Sequence, residues 1–400
     1  MENTPHSRDH QIDHDSGKEE ATMPVPIIDS HIHLFPASHL PTLAWYGPNS
    51  PLGAQHSVDE YRLAASSVPT SPSPSPDKFL RGFVFLETDR ISSIEEQPSS
   101  DNSGWKHALD EVSFLTRIAL GEPVPGEGHR DVDRQLCLGI IPWAPVPGGP
   151  EVLARYMAQV RERTKSYEVW RKVRGVRYLV QDKPAGVMLQ PNFVDGLRWL
   201  GRQGLTFDLG VDARQGGLHQ LQEAVKMMDE VYRGAERNEQ VTIVISKLRP
   251  LKNYLHCTDH LDHLCKPNLR LPSDSLATHP EYLGWKNSIT QMASISCKTY
   301  MKLSGAFSEL PPIGPADPNI DDLVDRIQPW TDVVFDTFGA ARVMFGSDWP
   351  VCNVGGGGNE VSWNRWRQVV ECILERRGLT EEERRGVWGD VVVEAYGVEI

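Results

Sequence analysis

Eight short apolar runs, most of them separated by amphipathic stretches, constrain the fold more than any other feature of this chain. They are Val25–His33, Phe79–Leu86, Leu136–Trp143, Val173–Val180, Leu205–Val211, Val241–Ile245, Thr299–Ser304 and Arg342–Ser347. Runs of this length, rich in Val, Ile, Leu and Phe, suit strands buried on both faces of a parallel sheet. Between them, Trp105–Leu120 sets Leu109, Val112, Leu115 and Ala119 on one side at near 3.6-residue spacing. Gly217–Arg233, Glu281–Ser296, Asp321–Thr337 and Trp363–Arg377 have a similar helical pattern. Strands alternating with helices imply parallel βα units, and eight such units predict an α/β chain closed into a (β/α)8 TIM barrel.

The connections predict one domain with long loop insertions. The interval after the first run holds Ser66–Pro76, a Ser/Pro tract suited to an extended exposed loop, and the next holds the polar stretch Pro98–Gly104. Neither interval has a core of its own. Residues 1–23 are polar with both charge signs and predict a disordered tail before a barrel spanning 24–400. A formal net charge of −13 argues against a nucleic-acid partner, which needs a basic face. No run of about 18 apolar residues is present to enter a membrane. The six cysteines lack any CxxC spacing, the usage expected of reduced thiols in the cytoplasm. The oligomeric state is not fixed by the sequence, and a homodimer is left open.

The chemistry concentrates at the two ends of the strand pattern. Asp29-Ser-His31-Ile-His33 ends the first run, and side chains at i, i+2 and i+4 of a regular strand share one face. Asp29, His31 and His33 are therefore expected to point into the barrel. Two imidazoles two residues apart can hold one divalent metal or donate hydrogen bonds to a carbonyl oxygen. The alternative is a pair of hydrogen-bonded structural histidines. The eighth run ends in Gly346-Ser-Asp348-Trp-Pro, and a polar residue at the C-terminal end of a barrel strand is where catalytic groups sit. Closure makes strands one and eight neighbours, so Asp348 should meet His31 and His33 and act as a base on water or as a metal ligand. The glycine run Gly355–Gly358 is expected to form a flexible flap at the mouth.

These residues resemble those of the amidohydrolase-like metal-dependent hydrolases, and within them the branch that hydrolyses sugar lactones, the L-fuconolactonases and fungal L-rhamnono-γ-lactonases. The similarity runs from about Val25 to Val398, through IIDSHIHLF, GIIPWAPV, VRGVRYLVQ, FDLGV, MKLSG, FGAARVMFGSDWPV and EAYGV. It implies one divalent metal, Zn²⁺, on His31, His33 and Asp348, or none, and a sugar-lactone substrate. It also implies catalytic roles for Asp348, His263 and Arg177, and substrate contacts from Arg177, Glu87, Lys302 and Trp349. Arg177 and Glu87 have a bland alternative as ordinary ion-pair or solvated charges, and Lys302 as an outward lysine.

One departure stands out. In the family, strand six runs directly into a D-H-x-G-K-P signature. Here Ser246–Leu261 intervenes before Asp262-His263-Leu-Cys265-Lys-Pro267. Sixteen extra residues in a central parallel strand would break its ladder. The segment is either a retained intron of the gene model or a loop that re-presents His263 at the mouth. The rivals to a lactonase are a decarboxylase of the same superfamily and an inactive barrel that binds without turnover.

Overall fold

The structure is a computed structural model, which describes residues 24–47, 49–70, 77–96, 104–214, 216–246, 265, 267–310 and 319–400. His263, the tail 1–23 and residues 247–261 lie outside the described residues. Eight parallel strands appear where the apolar runs predict them: β1 (Val25–Ile32), β2 (Lys78–Leu86), β3 (Cys137–Ile141), β4 (Gly175–Leu179), β5 (Thr206–Gly210), β6 (Ile243–Ser246), β7 (Thr299–Ser304) and β8 (Val343–Gly346). Strands β1–β2–β3 form one continuous ladder and β4 through β8 another.

Two seams join the ladders into a ring. At the first, parallel bridges pair Ile140 with Val173 and Trp143 with Arg177, and Arg177 N donates to Pro142 O at 2.9 Å. At the second, Ile32 bridges Trp349, His33 N donates to Trp349 O at 2.7 Å, and Asp348 N donates to His31 O at 2.8 Å. Gly346 makes that close approach possible: a Cβ there would lie 2.9 Å from His31 Cβ and 3.0 Å from Ser30 Oγ.

Helices form the outer layer: α1 (Val58–Ala64), α2 (Lys106–Leu120), α3 (Gly149–Arg163), α4 (Pro191–Arg202), α5 (His219–Tyr232), α6 (Pro280–Ile295), α7 (Ile320–Phe338) and α8 (Ser362–Arg376); a further helix, α9 (Val391–Tyr396), lies across the end of the barrel. In α2 the predicted face Leu109, Val112, Leu115 and Ala119 is buried, and Gly121 ends the helix at a left-handed φ of 70°. Five tryptophans (Trp285, Trp330, Trp363, Trp366 and Trp388) help fill this outer core, each fully buried aromatic contributing about 2–3 kcal/mol through apolar area removed from water.

A second, smaller core fills the barrel itself. Ile28, Val84, Leu138, Val244, Tyr300 and Met344 pack there against Val391, Val392, Ala395 and Tyr396, so α9 stoppers the N-terminal end of the barrel. Thr206 Oγ donates to Ala395 O at 3.0 Å and Tyr300 OH to Glu394 Oε1 at 2.9 Å, fixing the stopper in place. With that end closed, the inward polar residues face only the opposite, C-terminal mouth.

Among the described residues the cysteines Cys137, Cys265, Cys297, Cys352 and Cys372 are free thiols, and no helix is long and apolar enough to cross a membrane. The close approach at the β1–β8 seam carries a prediction. Gly346→Ala should cost about 1–3 kcal/mol, the usual penalty for forcing atoms into a packed site, read as a lower denaturation midpoint in urea. An unchanged midpoint would show that the seam is looser than described.

Candidate active site

The seam that closes the barrel also assembles a cluster of three buried ligand atoms. Asp348 Oδ1 lies 3.1 Å from His31 Nε2 and 3.1 Å from His33 Nε2, and the two imidazole nitrogens are 3.1 Å apart. Asp348 holds this position with a left-handed backbone, φ 57°, in the turn that follows β8. Short polar side chains such as Asp tolerate that conformation better than most, and it is a common one at functional turns.

His33 is fixed in one tautomer. Its Nδ1 is 3.0 Å from Leu86 O and 2.9 Å from Glu87 O, both acceptors, so Nδ1 carries the proton and Nε2 presents a lone pair. Burial, reinforced by the nearby Arg177 and Lys302 charges, pushes its pKa down to about 3, so the ring is neutral at pH 7. A neutral imidazole and a carboxylate oxygen converging at 3.1 Å are two acceptors facing each other. Such a pair needs a proton or a cation between its members. His31, His33 and Asp348 are accordingly a candidate metal site, with all ligand atoms within 4.8 Å of one another. A backbone carbonyl on the far nitrogen of a histidine is a usual partner of a ligating imidazole, and three protein ligands leave a position open for substrate or water.

Asp29 departs from expectation. It is not in the cluster: its Oδ2 accepts from Tyr61 OH on α1 at 3.1 Å and from Trp363 Nε1 on α8 at 2.8 Å, both in the helical layer. The cause is a break in strand alternation. Asp29 pairs with Phe83 but Ile32 with Phe85, so β1 carries one extra residue and its inward and outward faces exchange. Asp29 Oδ1 accepts from Ser347 N at 2.8 Å, so this residue fastens the turn that carries Asp348.

The remaining inward residues form a second polar group, every member of it buried. Arg177 on β4 pairs in register with Asp208 on β5; Arg177 Nε lies 3.6 Å from Asp208 Oδ1 and 3.8 Å from Glu87 Oε1. Lys302 on β7 points inward and donates to Asp208 Oδ2 at 2.8 Å. Its pKa is pushed down to about 8 by burial, with Asp208 opposing the shift. The guanidinium of Arg177 is completely buried, yet neither Nη1 nor Nη2 has a hydrogen-bond partner among the described residues. Gly210 leaves it room, since a Cβ there would lie 3.3 Å from Arg177 Nη2. A buried cation with unused donors is costly unless something else accepts from it.

Trp349 does not join this group. It is fully buried, gives its indole N–H to Asn359 Oδ1 at 2.7 Å and packs edge-on against Tyr61 and His56. The glycine run is tied down rather than a free flap: Gly356 is buried, Arg365 Nη1 donates to Gly356 O, and Ser362 Oγ donates to Gly358 O at 2.7 Å. Glycine content alone suggested mobility, and side chains from α8 remove it. Asp208 was missed in the sequence, although the FDLG run places it on the same strand face as Thr206 and Gly210.

Comparison with known proteins agrees with this architecture. A family model described as amidohydrolase matches residues 261–390. The L-rhamnono-gamma-lactonase of Scheffersomyces stipitis is 31% identical over 373 residues, covering 93% of this chain and 98% of that protein. The L-fucono-1,5-lactonase of Burkholderia multivorans is 27% identical over 238 residues, covering 57% of this chain and 65% of that protein. Among solved structures, an amidohydrolase from Burkholderia multivorans with bound Zn superposes at a TM-score of 0.59 and 22% identity, covering 93% of this chain and 99% of that one. At that identity the likeness establishes the fold.

Behind the site, two carboxyls give the fold a pH dependence. Burial pushes Glu87 up to about 7, against the pull of Arg177, and pushes Glu111 on α2 up to about 7, against Arg90. Glu111 Oε1 accepts from Thr88 N at 3.2 Å and from Thr88 Oγ, next to Glu87. Between the ordinary value of 4.5 and about 7, the folded chain holds protons that the unfolded chain has released. Their stabilising contribution is complete below that window and lost as pH rises through it. Glu111→Gln should therefore lose less melting temperature than the parent chain between pH 5 and pH 8. Parallel curves for the two proteins would contradict this assignment.

Proposed function

This chain belongs to the amidohydrolase family, and on that premise we propose that it hydrolyses a sugar-acid lactone, adding water to the ester carbonyl and releasing the open acid. The observation that carries the chemistry is the convergence of Asp348 Oδ1 and two imidazole Nε2 atoms at 3.1 Å, near a buried guanidinium whose Nη donors have no hydrogen-bond partner among the described residues. The substrate class follows from the relatives, above all the L-rhamnono-gamma-lactonase that this chain matches along 98% of its length. The polar lining suits that class. A lactone of a sugar acid offers carbonyl and ring oxygens that accept hydrogen bonds and hydroxyls that also donate. Arg177 and Lys302 supply donors, and Glu87 and Asp208 supply acceptors.

In the reaction, Asp348 takes a proton from water as the water oxygen bonds to the carbonyl carbon. Negative charge builds on the carbonyl oxygen, and Arg177 holds that oxygen with its Nη donors in a dry interior, where such bonds are strong. The bond from carbonyl carbon to ring oxygen then breaks. The ring oxygen leaves as a hydroxyl, taking up the proton that Asp348 accepted, and the acid product carries the added oxygen. His33, locked by the Leu86 and Glu87 carbonyls, keeps its Nε2 lone pair turned to the reacting side. A divalent ion on His31, His33 and Asp348, which we take to be Zn²⁺, would supply Lewis-acid stabilisation of negative oxygen. We assign a deoxy-sugar γ-lactone, such as L-rhamnono-γ-lactone, as the preferred substrate. His263, from the motif after the insertion, is assigned to the same mouth by family resemblance alone.

Turnover of L-rhamnono-, L-fucono- and L-galactono-lactones, followed as acid release, tests the reading. Asp348→Asn should lower kcat by about 10²–10⁴, the range for a lost general base. Equal rates for the two proteins would remove Asp348 from the mechanism. Exhaustive chelation should abolish turnover and added Zn²⁺ restore it; full activity of metal-free protein, verified by elemental analysis, would exclude the ion.

A further inference from the structure

The C-terminal stopper reaches further than packing requires. Tyr396, the last residue of α9, sends its hydroxyl up the barrel to donate to Asp208 Oδ2 at 2.6 Å. The same oxygen accepts from Lys302 Nζ at 2.8 Å, and that ammonium lies 5.3 Å from the centre of the Tyr396 ring. The other carboxylate oxygen, Asp208 Oδ1, is 3.6 Å from Arg177 Nε. Tyr396, Asp208, Lys302 and Arg177 are all buried. A tyrosine serving only to plug a barrel has no need of a phenol hydroxyl on a charged carboxylate. Leucine or phenylalanine would fill the space.

We propose that Tyr396 and Asp208 form an internal strut that positions both cations of the site: the hydroxyl fixes the carboxylate, and the carboxylate fixes Lys302 on one side and Arg177 on the other. The physical argument is one of rotamers and charge. Lys and Arg have long flexible stems, and a dry interior offers no water to orient their heads. A single carboxylate shared between them sets their separation and aim. That carboxylate could itself rotate about its last torsion, which is soft. The hydroxyl, donated from a helix packed against Val244 and Met344 and held by the Thr206–Ala395 hydrogen bond, removes that freedom. Tyr396 is thus a positioning residue, far down the barrel from the three-ligand cluster. The end of the chain is thereby coupled to the chemistry at the other end of the barrel.

This inference rests on the lactonase reading for its kinetic readout, and a spectroscopic one is included that does not. The charged and titratable groups around Lys302 include Asp208, Tyr396, Arg177, Asp348 and His33. In Tyr396→Phe the Asp208 charge is no longer shared with the hydroxyl and falls more fully on Lys302. The Lys302 side-chain resonance, observed in lysine-labelled full-length protein, should then titrate about one pH unit higher than in the parent. Kinetically, Tyr396→Phe should lower kcat about 10-fold with KM changed less than 3-fold, and the isosteric Asp208→Asn about 100-fold. Tyr300→Phe is the control: it cuts the same helix loose from β7 at Glu394 without touching Asp208, and should leave the resonance and kcat within 2-fold of the parent. Equal losses in Tyr300→Phe and Tyr396→Phe, or an unshifted Lys302 titration in both Tyr396→Phe and Asp208→Asn, would overturn the strut. Absence of turnover by the parent on every lactone would defeat the lactonase reading, while the resonance would still decide the strut.

Discussion

Two backbone hydrogen bonds, Asp348 N to His31 O and His33 N to Trp349 O, cross the seam between the last strand and the first. The cluster of Asp348 with His31 and His33 depends on them. They bring together residues 315 positions apart in the chain, and they do so through main-chain atoms, so the ladder places the carboxylate and the imidazoles and the Leu86 and Glu87 carbonyls then orient the His33 ring. Gly346 permits the approach and Asp29 secures it from outside, bonding Ser347 N on one oxygen and the helical layer on the other. Closing a barrel leaves no free strand edge, and here the closure itself is the step that brings Asp348 to the two imidazoles.

The interior above the stopper is an unusual place for charge. Glu87, Arg177, Asp208 and Lys302 are removed from water together. Ions in such surroundings lose several kcal/mol of hydration each, and ion pairing offsets that only in part. Among the described residues Arg177 Nη1 and Nη2 have no hydrogen-bond partner, and burial raises the Glu87 pKa to about 7. A chain built for stability alone would fill this space with valine and isoleucine, as it does at the level of Val84, Leu138 and Val244. The stability forgone at one level of the barrel is what leaves donors and acceptors ready for a ligand that arrives with hydroxyls and a carbonyl of its own.

Much of this was legible in the order of residues. Strand positions, the outer faces of the helices and the meeting of Asp348 with His31 and His33 follow from periodicity and from the rule that the first and last strands of a barrel are neighbours. The failures have specific causes. Asp29 was placed inside because alternation was assumed to be unbroken, and one extra residue in β1 reverses it. The glycines after Val354 suggested a flap because composition does not show the side chains that pin their carbonyls. Asp208 sits in the FDLGV landmark as a charged residue within an otherwise apolar strand, and neither signal assigned it a role. Tyr396 lay within the EAYGV landmark of the family resemblance, which assigned its hydroxyl no role.

By itself the sequence determined the architecture and the meeting of Asp348 with His31 and His33, because hydrophobic periodicity is a local property and barrel closure is a counting rule. The tertiary structure alone decided which way each polar side chain faces and what it touches. A bulge reverses a face, a shared carboxylate aims two cations, and a terminal hydroxyl arrives from nearly two hundred residues away to hold it. Those outcomes depend on distances between parts of the chain that no local pattern records.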